Sequence, residues 1–195
     1  IVQSMRGGGR DEIKKILLTA SGGPFLGKTY EEIKDMPPEK ALRHPNWSMG
    51  PKITVDSASM MNKGLEFIEA MHLFGVFFRQ IPQTDRDHIL LSAADMLNDH
   101  KLGCFQFKDN AVIAQLGTPD MRLPIQFALT YPRRGDAVCR ELDFFGMGAL
   151  TFEKPDLDTF RALKLAMDIA GRRDAACAVM NGANEAAVGL YLENK

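Results

Sequence analysis

"RHPNWSMGPKITVDSASMMNKGLEFIEA", residues 43–70, places the only tryptophan of the chain in a polar, proline-broken loop. "PKITVDSAS" within it alternates apolar and polar side chains up to Asp56 and is read as a strand. From about Ser59 to Phe74, Met61, Leu65, Ile68 and His72 recur at helical spacing, which predicts a helix with one mostly apolar face. The first turn of a helix carries unpaired N–H groups and the positive end of the macrodipole, so it attracts anions. Ser57 and Ser59 lie just before that end, and Asn62 and Lys63 lie within the first turn. Hydroxyl, amide and ammonium donors therefore converge where a phosphate would sit. Glu66 follows Asn62 by four residues and Lys63 by three, on the same surface. A carboxylate one turn below a phosphate is placed to hold a hard divalent cation.

A plainer reading of the same spacing has Ser57 or Ser59 as a cap and Lys63 paired with Glu66. Gly64 tilts the balance slightly. A glycine inside a helix costs about 1 kcal/mol against alanine, which suggests that something approaches closely there. Trp47, flanked by Pro45 and Gly50, either anchors its loop to the core or, with His44 and Met49, closes over a ligand and excludes water.

Upstream, "IKKILLTA" (13–20) reads as a buried strand that ends in the turn "SGGP". Ser21, Gly22 and Gly23 form a second donor cluster there, since consecutive N–H groups in such a turn make an anion nest. "DMPPEKALRHP" predicts a short helix with Pro37 and Pro38 in its first turn. Downstream, "QTDRDHILLSAADMLNDHKLG" fits a helix and "CFQFKDNAVIAQLG" a hairpin turning at Asp109-Asn110. "TPDMRLPIQFALTYP" is read as a helix with Thr118 as N-cap and Pro119 in the first position. Two further helices are predicted in "DLDTFRALKLAMDIAG" and "DAACAVMNGANEAAVGLYLENK". The order runs from mixed α/β to all-helical, with a boundary around 131–156. Asp85, Asp87, His88, Asp95, Asp99 and His100 could be metal ligands, but Asp85, His88, Asp95 and Asp99 fit the solvated face of an amphipathic helix more simply.

Composition sets limits. The chain has 195 residues, 45% of them hydrophobic and 25% charged, which is ordinary for a globular protein. With 24 basic and 25 acidic residues the net charge is −1, against the basic excess usual in nucleic-acid binders. Cys104, Cys139 and Cys177 are far apart and form no C-x-x-C pair, so free thiols are expected. No apolar run is long enough to span a bilayer. The opening "IVQSMRGGGRDEIKK" lacks the layout of a signal peptide and reads as interior sequence.

"LLTASGGPF", "RHPNWSMGPKITVDSASMMNKGLEFIEA", "AVIAQLGTPDMRLPIQ", "LDFFGMGALTFEKPD" and "NGANEAAV" together resemble the 1-deoxy-D-xylulose 5-phosphate reductoisomerase family. The motifs are long, in family order, and cover most of the chain outside roughly 75–110. The resemblance implies an NADPH-dependent oxidoreductase and isomerase. It would convert 1-deoxy-D-xylulose 5-phosphate to 2-C-methyl-D-erythritol 4-phosphate in non-mevalonate isoprenoid biosynthesis. Magnesium or manganese, or cobalt, would act as a Lewis acid on the substrate's oxygens. By match to the family motifs, Ser21, His44, Trp47, Ser57, Asn62, Lys63 and Glu66 would bind substrate, with Lys63 and Glu66 in the catalytic machinery. Glu66 would be one of three acidic metal ligands. Gly50 and Met121 would lie against NADPH, and Trp47 with Met49 would form a lid.

The implied architecture is α/β (α+β): a mixed sheet with helices over 1–130, a linker over 131–156, and the start of a C-terminal helical region over 157–195. The family's N-terminal NADPH-binding domain and its Asp-Ser-Glu segment have no counterpart in these residues. The isolated chain is therefore expected to be inactive. The alternative is a non-catalytic sugar-phosphate-binding fragment or decayed paralogue. A homodimer in the bacterial cytoplasm or a plastid-type organelle is implied for the full-length family, with no nucleic-acid or membrane partner. In place of a His-Pro-Gln-Ser strand that contributes to the family dimer, this chain carries "FFRQIPQTDRDHILLSAADMLNDHKLG".

Overall fold

Ile13–Ala20 forms strand β1, whose Ile16 and Leu18 alternate onto one face and are buried. The computed structural model describes residues 2–44, 49–74, 89–95, 101–118, 120–146, 149–172 and 174–193. β1 is the middle strand of a five-stranded mixed sheet. It pairs in parallel with β2 (Ile89–Asp95), Ile16 opposite Ile89, and antiparallel with β3 (Lys101–Phe107), Ile16 opposite Phe105. β4 (Val112–Gly117) extends the sheet beyond β3, and β5 (Thr151–Glu153) closes the other edge against β2. The mixed α/β architecture expected from the sequence is the one observed.

Among the described residues, the crossover between the parallel strands carries the α-helices α1 (Tyr30–Ile33), α2 (Pro38–Ala41), α3 (Pro51–Ala58) and α4 (Met61–Phe74). After β4 come α5 (Arg122–Thr130), α6 (Arg161–Ala170) and α7 (Ala176–Leu192). Phe67 of α4, Phe105 of β3, Ile16 of β1 and Leu163 of α6 are the largest fully buried side chains. Each contributes about 1.5–3 kcal/mol by leaving water. Met61, Ala166 and Met180 form a second apolar cluster joining α4, α6 and α7. No helix among the described residues is long and apolar enough to cross a membrane.

Three sequence expectations change here. Residues 51–58 are helix α3, not a strand. Gly50 precedes it in an extended conformation, Pro51 takes the first helical position, and the Thr54 amide and hydroxyl both donate to the Gly50 carbonyl. The β-branched Ile53 and Val55 imitate strand alternation, but Thr54, Val55 and Ala58 are the buried face of a helix. Residues 89–95, read as helical, are β2, selected by pairing with a strand more than seventy residues away. That strand replaces the middle of the proposed metal-binding helix. Asp85, Asp87, His88, Asp99 and His100 lie outside the described residues.

The third change is at α5. Asp120, not Thr118, accepts the hydrogen of the first helical amide, Arg122 N, at 2.9 Å, and its carboxylate also grips the Arg122 guanidinium. Thr118 Oγ1 is buried with no partner among the described residues, and Pro119 lies outside them. The hairpin turn is as expected, with Asn110 at φ 69° and Asp109 accepting the Ala111 amide hydrogen.

Candidate active site

The two donor clusters seen in the sequence meet. β1 delivers the chain into Ser21-Gly22-Gly23, where both glycines adopt positive φ, 74° and 64°. A Cβ on Gly23 would stand 2.6 Å from the Ser57 carbonyl oxygen and 3.4 Å from the Ala58 Cα. Only glycine permits both that backbone conformation and that approach. The turn after β1 is thus seated on the last turn of α3.

α3 ends at Ser59, whose hydroxyl donates to the Asp56 carbonyl at 3.3 Å and accepts from the Met61 amide at 3.4 Å. Met60 between the helices has φ 58°, uncommon outside glycine, and its side chain is buried in the core. This joint swings the chain directly into α4. The Lys63 amide donates to Asn62 Oδ1 at 2.7 Å. Lys63 itself is buried, and its Nζ lies 2.6 Å from Glu66 Oε2. The Glu66 side chain is 45% exposed, so the carboxylate faces solvent while the ammonium does not. The phosphate-type donors and the ion pair of the plainer reading are therefore the same residues.

Gly64 has a different cause from the one its position suggested. Its close neighbour is the Ala166 side chain of α6, so the glycine serves helix packing, not a ligand.

His44 precedes the loop and is half-buried, and burial pushes its imidazole below the usual 6.5. Trp47 lies outside the described residues. Met49 is half-buried, and Gly50 is exposed at the start of α3. Met121 lies in the turn before α5 and is 55% exposed. Ser21, Ser57, Asn62, Lys63 and Glu66 are gathered on the β1 turn and the joint between α3 and α4.

The sequence reading missed a neighbouring network. Asp56, 3% exposed, pairs with Lys52 Nζ at 2.8 Å and accepts from Asn184 Nδ2 of α7 at 2.8 Å. Lys52 also meets Glu185 at 3.0 Å. Asp56, and secondarily Glu185, raise the Lys52 ammonium above its ordinary value. The signal was the i,i+4 spacing of Lys52 and Asp56, invisible in a strand, where such residues stand about 13 Å apart.

Chemically, the site offers hydroxyl, amide and ammonium donors for an anion and one solvent-facing carboxylate. Among the described residues no group of three or more His, Cys, Asp or Glu is placed to hold a metal. A magnesium ion is commonly bound through one or two carboxylates completed by substrate oxygens and water, and Glu66 fits as one such ligand.

Residues 1–74 match the model of the 1-deoxy-D-xylulose 5-phosphate reductoisomerase C-terminal domain, and residues 116–195 that of the DXP reductoisomerase C-terminal domain. All 195 residues align at 49% identity with a 1-deoxy-D-xylulose 5-phosphate reductoisomerase of Clostridium botulinum, and at 48% with that of Clostridium perfringens. In each case the chain covers 48% of the relative. It spans about half the length of the curated relatives it matches. Among solved structures, the Zymomonas mobilis reductoisomerase in complex with NADPH superposes with a TM-score of 0.84 at 40% identity. That match covers 100% of this chain and 47% of the other. A DOX-P reductoisomerase in complex with NADPH, fosmidomycin and magnesium gives 0.82 at 43% identity, covering 94% of this chain and 42% of the other. With the Ser-Gly-Gly turn and the Ser57–Glu66 joint in place, these matches make the chain a member of the 1-deoxy-D-xylulose 5-phosphate reductoisomerase family.

Proposed function

We propose that this chain supplies the sugar-phosphate grip of an NADPH- and divalent-metal-dependent reductoisomerase. The whole protein would convert 1-deoxy-D-xylulose 5-phosphate to 2-C-methyl-D-erythritol 4-phosphate. The observation that carries the reading is the seat of Gly23 on the Ser57 carbonyl, which brings the Ser-Gly-Gly turn against the joint that leads into α4. Both the family matches and the NADPH, fosmidomycin and magnesium complexes of related structures support it.

The substrate phosphate is held by the hydroxyls of Ser21 and Ser57, the Asn62 amide and the Lys63 ammonium. Lys63 is worth most, because a charge-assisted bond from a buried ammonium is stronger than a neutral one. Glu66 contributes one oxygen ligand to a divalent cation, which when bound polarises the substrate's carbonyl and hydroxyl oxygens. The Lys63–Glu66 pair orients both groups before substrate arrives. Burial holds the His44 imidazole below its ordinary value, which favours its neutral, hydrogen-bonding form over a competing cation. Trp47 and Met49 close over the bound sugar, and Gly50 and Met121 lie against NADPH.

Residues 1–130 form the catalytic region, 131–156 a connecting segment that lends β5 to the sheet, and 157–195 a helical region. The full-length protein is a homodimer working in the bacterial cytoplasm. With a single carboxylate at the site, chain 1–195 binds sugar phosphate but turns over little or none.

Amide-resolved NMR titration of the chain with 1-deoxy-D-xylulose 5-phosphate tests this. Shifts centred on Ser21, Ser57, Asn62 and Lys63 are expected, and much smaller ones with 1-deoxy-D-xylulose. Shifts that ignore the phosphate, or that fall elsewhere, contradict the reading.

A further inference from the structure

The Asp56 carboxylate is almost wholly withdrawn from water, and its hydrogen-bond and ion-pair partners among the described residues lie outside the proposed phosphate grip. Its partners are Lys52, one turn earlier on α3, and Asn184, reached across 128 residues of sequence on α7. We propose that Asp56 and Asn184 are positioning residues, a clamp by which α7 fixes the end of α3 and so the spacing of the donors that grip the sugar phosphate. The inference rests on the function proposed above and extends it to residues with no direct contact to substrate.

The backbone supplies the link. Asp56 immediately precedes Ser57, whose carbonyl is the seat of Gly23. The Asp56 carbonyl accepts the Ser59 hydroxyl, which in turn accepts the first amide hydrogen of α4. One residue thus holds α7 through its side chain and the α3–α4 joint through its main chain. A rotation of α3 by a few degrees would move the Ser57 carbonyl against Gly23 and shift Asn62 and Lys63 at the start of α4 relative to that turn.

α7 is suited to bracing. Asn184, Val188 and Tyr191 recur at intervals of four and three residues and lie on one stripe. Val188 is buried in the main core, and the Tyr191 hydroxyl donates to the Met36 carbonyl at 2.6 Å, just before α2. The stripe therefore holds the crossover at two places, on α3 and ahead of α2. Glu185 adds a third tie through Lys52.

Stability alone is a poor reason for this arrangement. Burying a carboxylate is expensive, and apolar replacements of buried ion pairs are often neutral or stabilising. The best-attested benefit of such groups is fixing one register among several. At the base of a ligand site, register is what a bound phosphate reads.

The test compares dissociation constants of 1-deoxy-D-xylulose 5-phosphate and 1-deoxy-D-xylulose for chain 1–195, Asp56→Asn and Asn184→Leu. Asp56→Asn keeps the acceptor for Asn184 and should retain the preference for the phosphorylated sugar within about threefold. Asn184→Leu removes the donor at similar volume and should reduce that preference roughly tenfold, with the unphosphorylated sugar scarcely affected. A folded Asn184→Leu chain with unchanged preference overturns the clamp while leaving the phosphate grip standing. Absence of any preference in the unaltered chain overturns both. Should Asn184→Leu not fold, Asn184→Gln, which carries the amide on a longer stem, takes its place under the same two outcomes.

Discussion

Gly64 of α4 and Ala166 of α6 are in van der Waals contact that leaves no room for a methyl group: a Cβ on Gly64 would lie 2.5 Å from the Ala166 Cβ. This contact sets how closely the helical region approaches the helix that carries Asn62, Lys63 and Glu66. Gly64→Ala gains about 1 kcal/mol of helix propensity. It loses about 1–3 kcal/mol through overpacking against Ala166, and the net change should be destabilising. Urea unfolding measures it, and adding Ala166→Gly should recover most of the loss. A more stable Gly64→Ala chain would show that α4 and α6 can part without penalty.

Folding stability should fall as pH drops through the range where His44 is protonated in the unfolded chain. Burial depresses the folded-state value below 6.5, so the native protein binds fewer protons than the unfolded one between the two values. The contribution is complete above about 6.5 and is lost as pH falls toward the folded-state value. Denaturation midpoints at pH 7.5 and 5.5 for the unaltered chain and His44→Gln reveal it. The unaltered chain should lose more stability on acidification than the variant, and equal losses contradict the assignment.

The cysteines should divide by burial. Cys104 is buried in β3, and burial raises its thiol above the ordinary range, so it has little thiolate at neutral pH. Cys139 and Cys177 are half-buried. A chromogenic disulfide reagent should titrate those two in the native chain and Cys104 only on unfolding. Rapid reaction of all three would place Cys104 outside the core.

Glu66→Gln should leave the chain folded, because its side chain is 45% exposed and the glutamine carbonyl oxygen can still accept from the buried Lys63 ammonium. In the complete enzyme the same change should abolish metal-dependent turnover. Unchanged turnover would remove Glu66 from the metal site.

Local signals carried much of this structure. β1 was legible as an apolar run stopped by Ser-Gly-Gly, α4 from its helical spacing, and the β3–β4 hairpin from Asp109-Asn110. The start of α4 at Met61, with Asn62 and Lys63 in its first turn, was legible too, because the apolar spacing beyond it is helical whatever precedes it. What precedes it was not. α3 starts at Gly50-Pro51 and is tied down by Asn184, far away in sequence, reaching Asp56, while the β-branched Ile53 and Val55 imitate a strand. β2 likewise owes its form to β1, and no window of its own residues contains that partner. The Asp56–Asn184 clamp was hidden for the same reason, since its spacing has meaning only on a helix.

The central claim is that Lys63, buried in the first turn of α4 next to Asn62, grips a sugar phosphate. Calorimetric titration of 1-deoxy-D-xylulose 5-phosphate into chain 1–195 and its Lys63→Ala variant tests it most directly. Loss of a charge-assisted bond predicts roughly tenfold or more weaker binding by the variant, with its preference over 1-deoxy-D-xylulose largely gone. Equal affinities for the two chains would contradict the account.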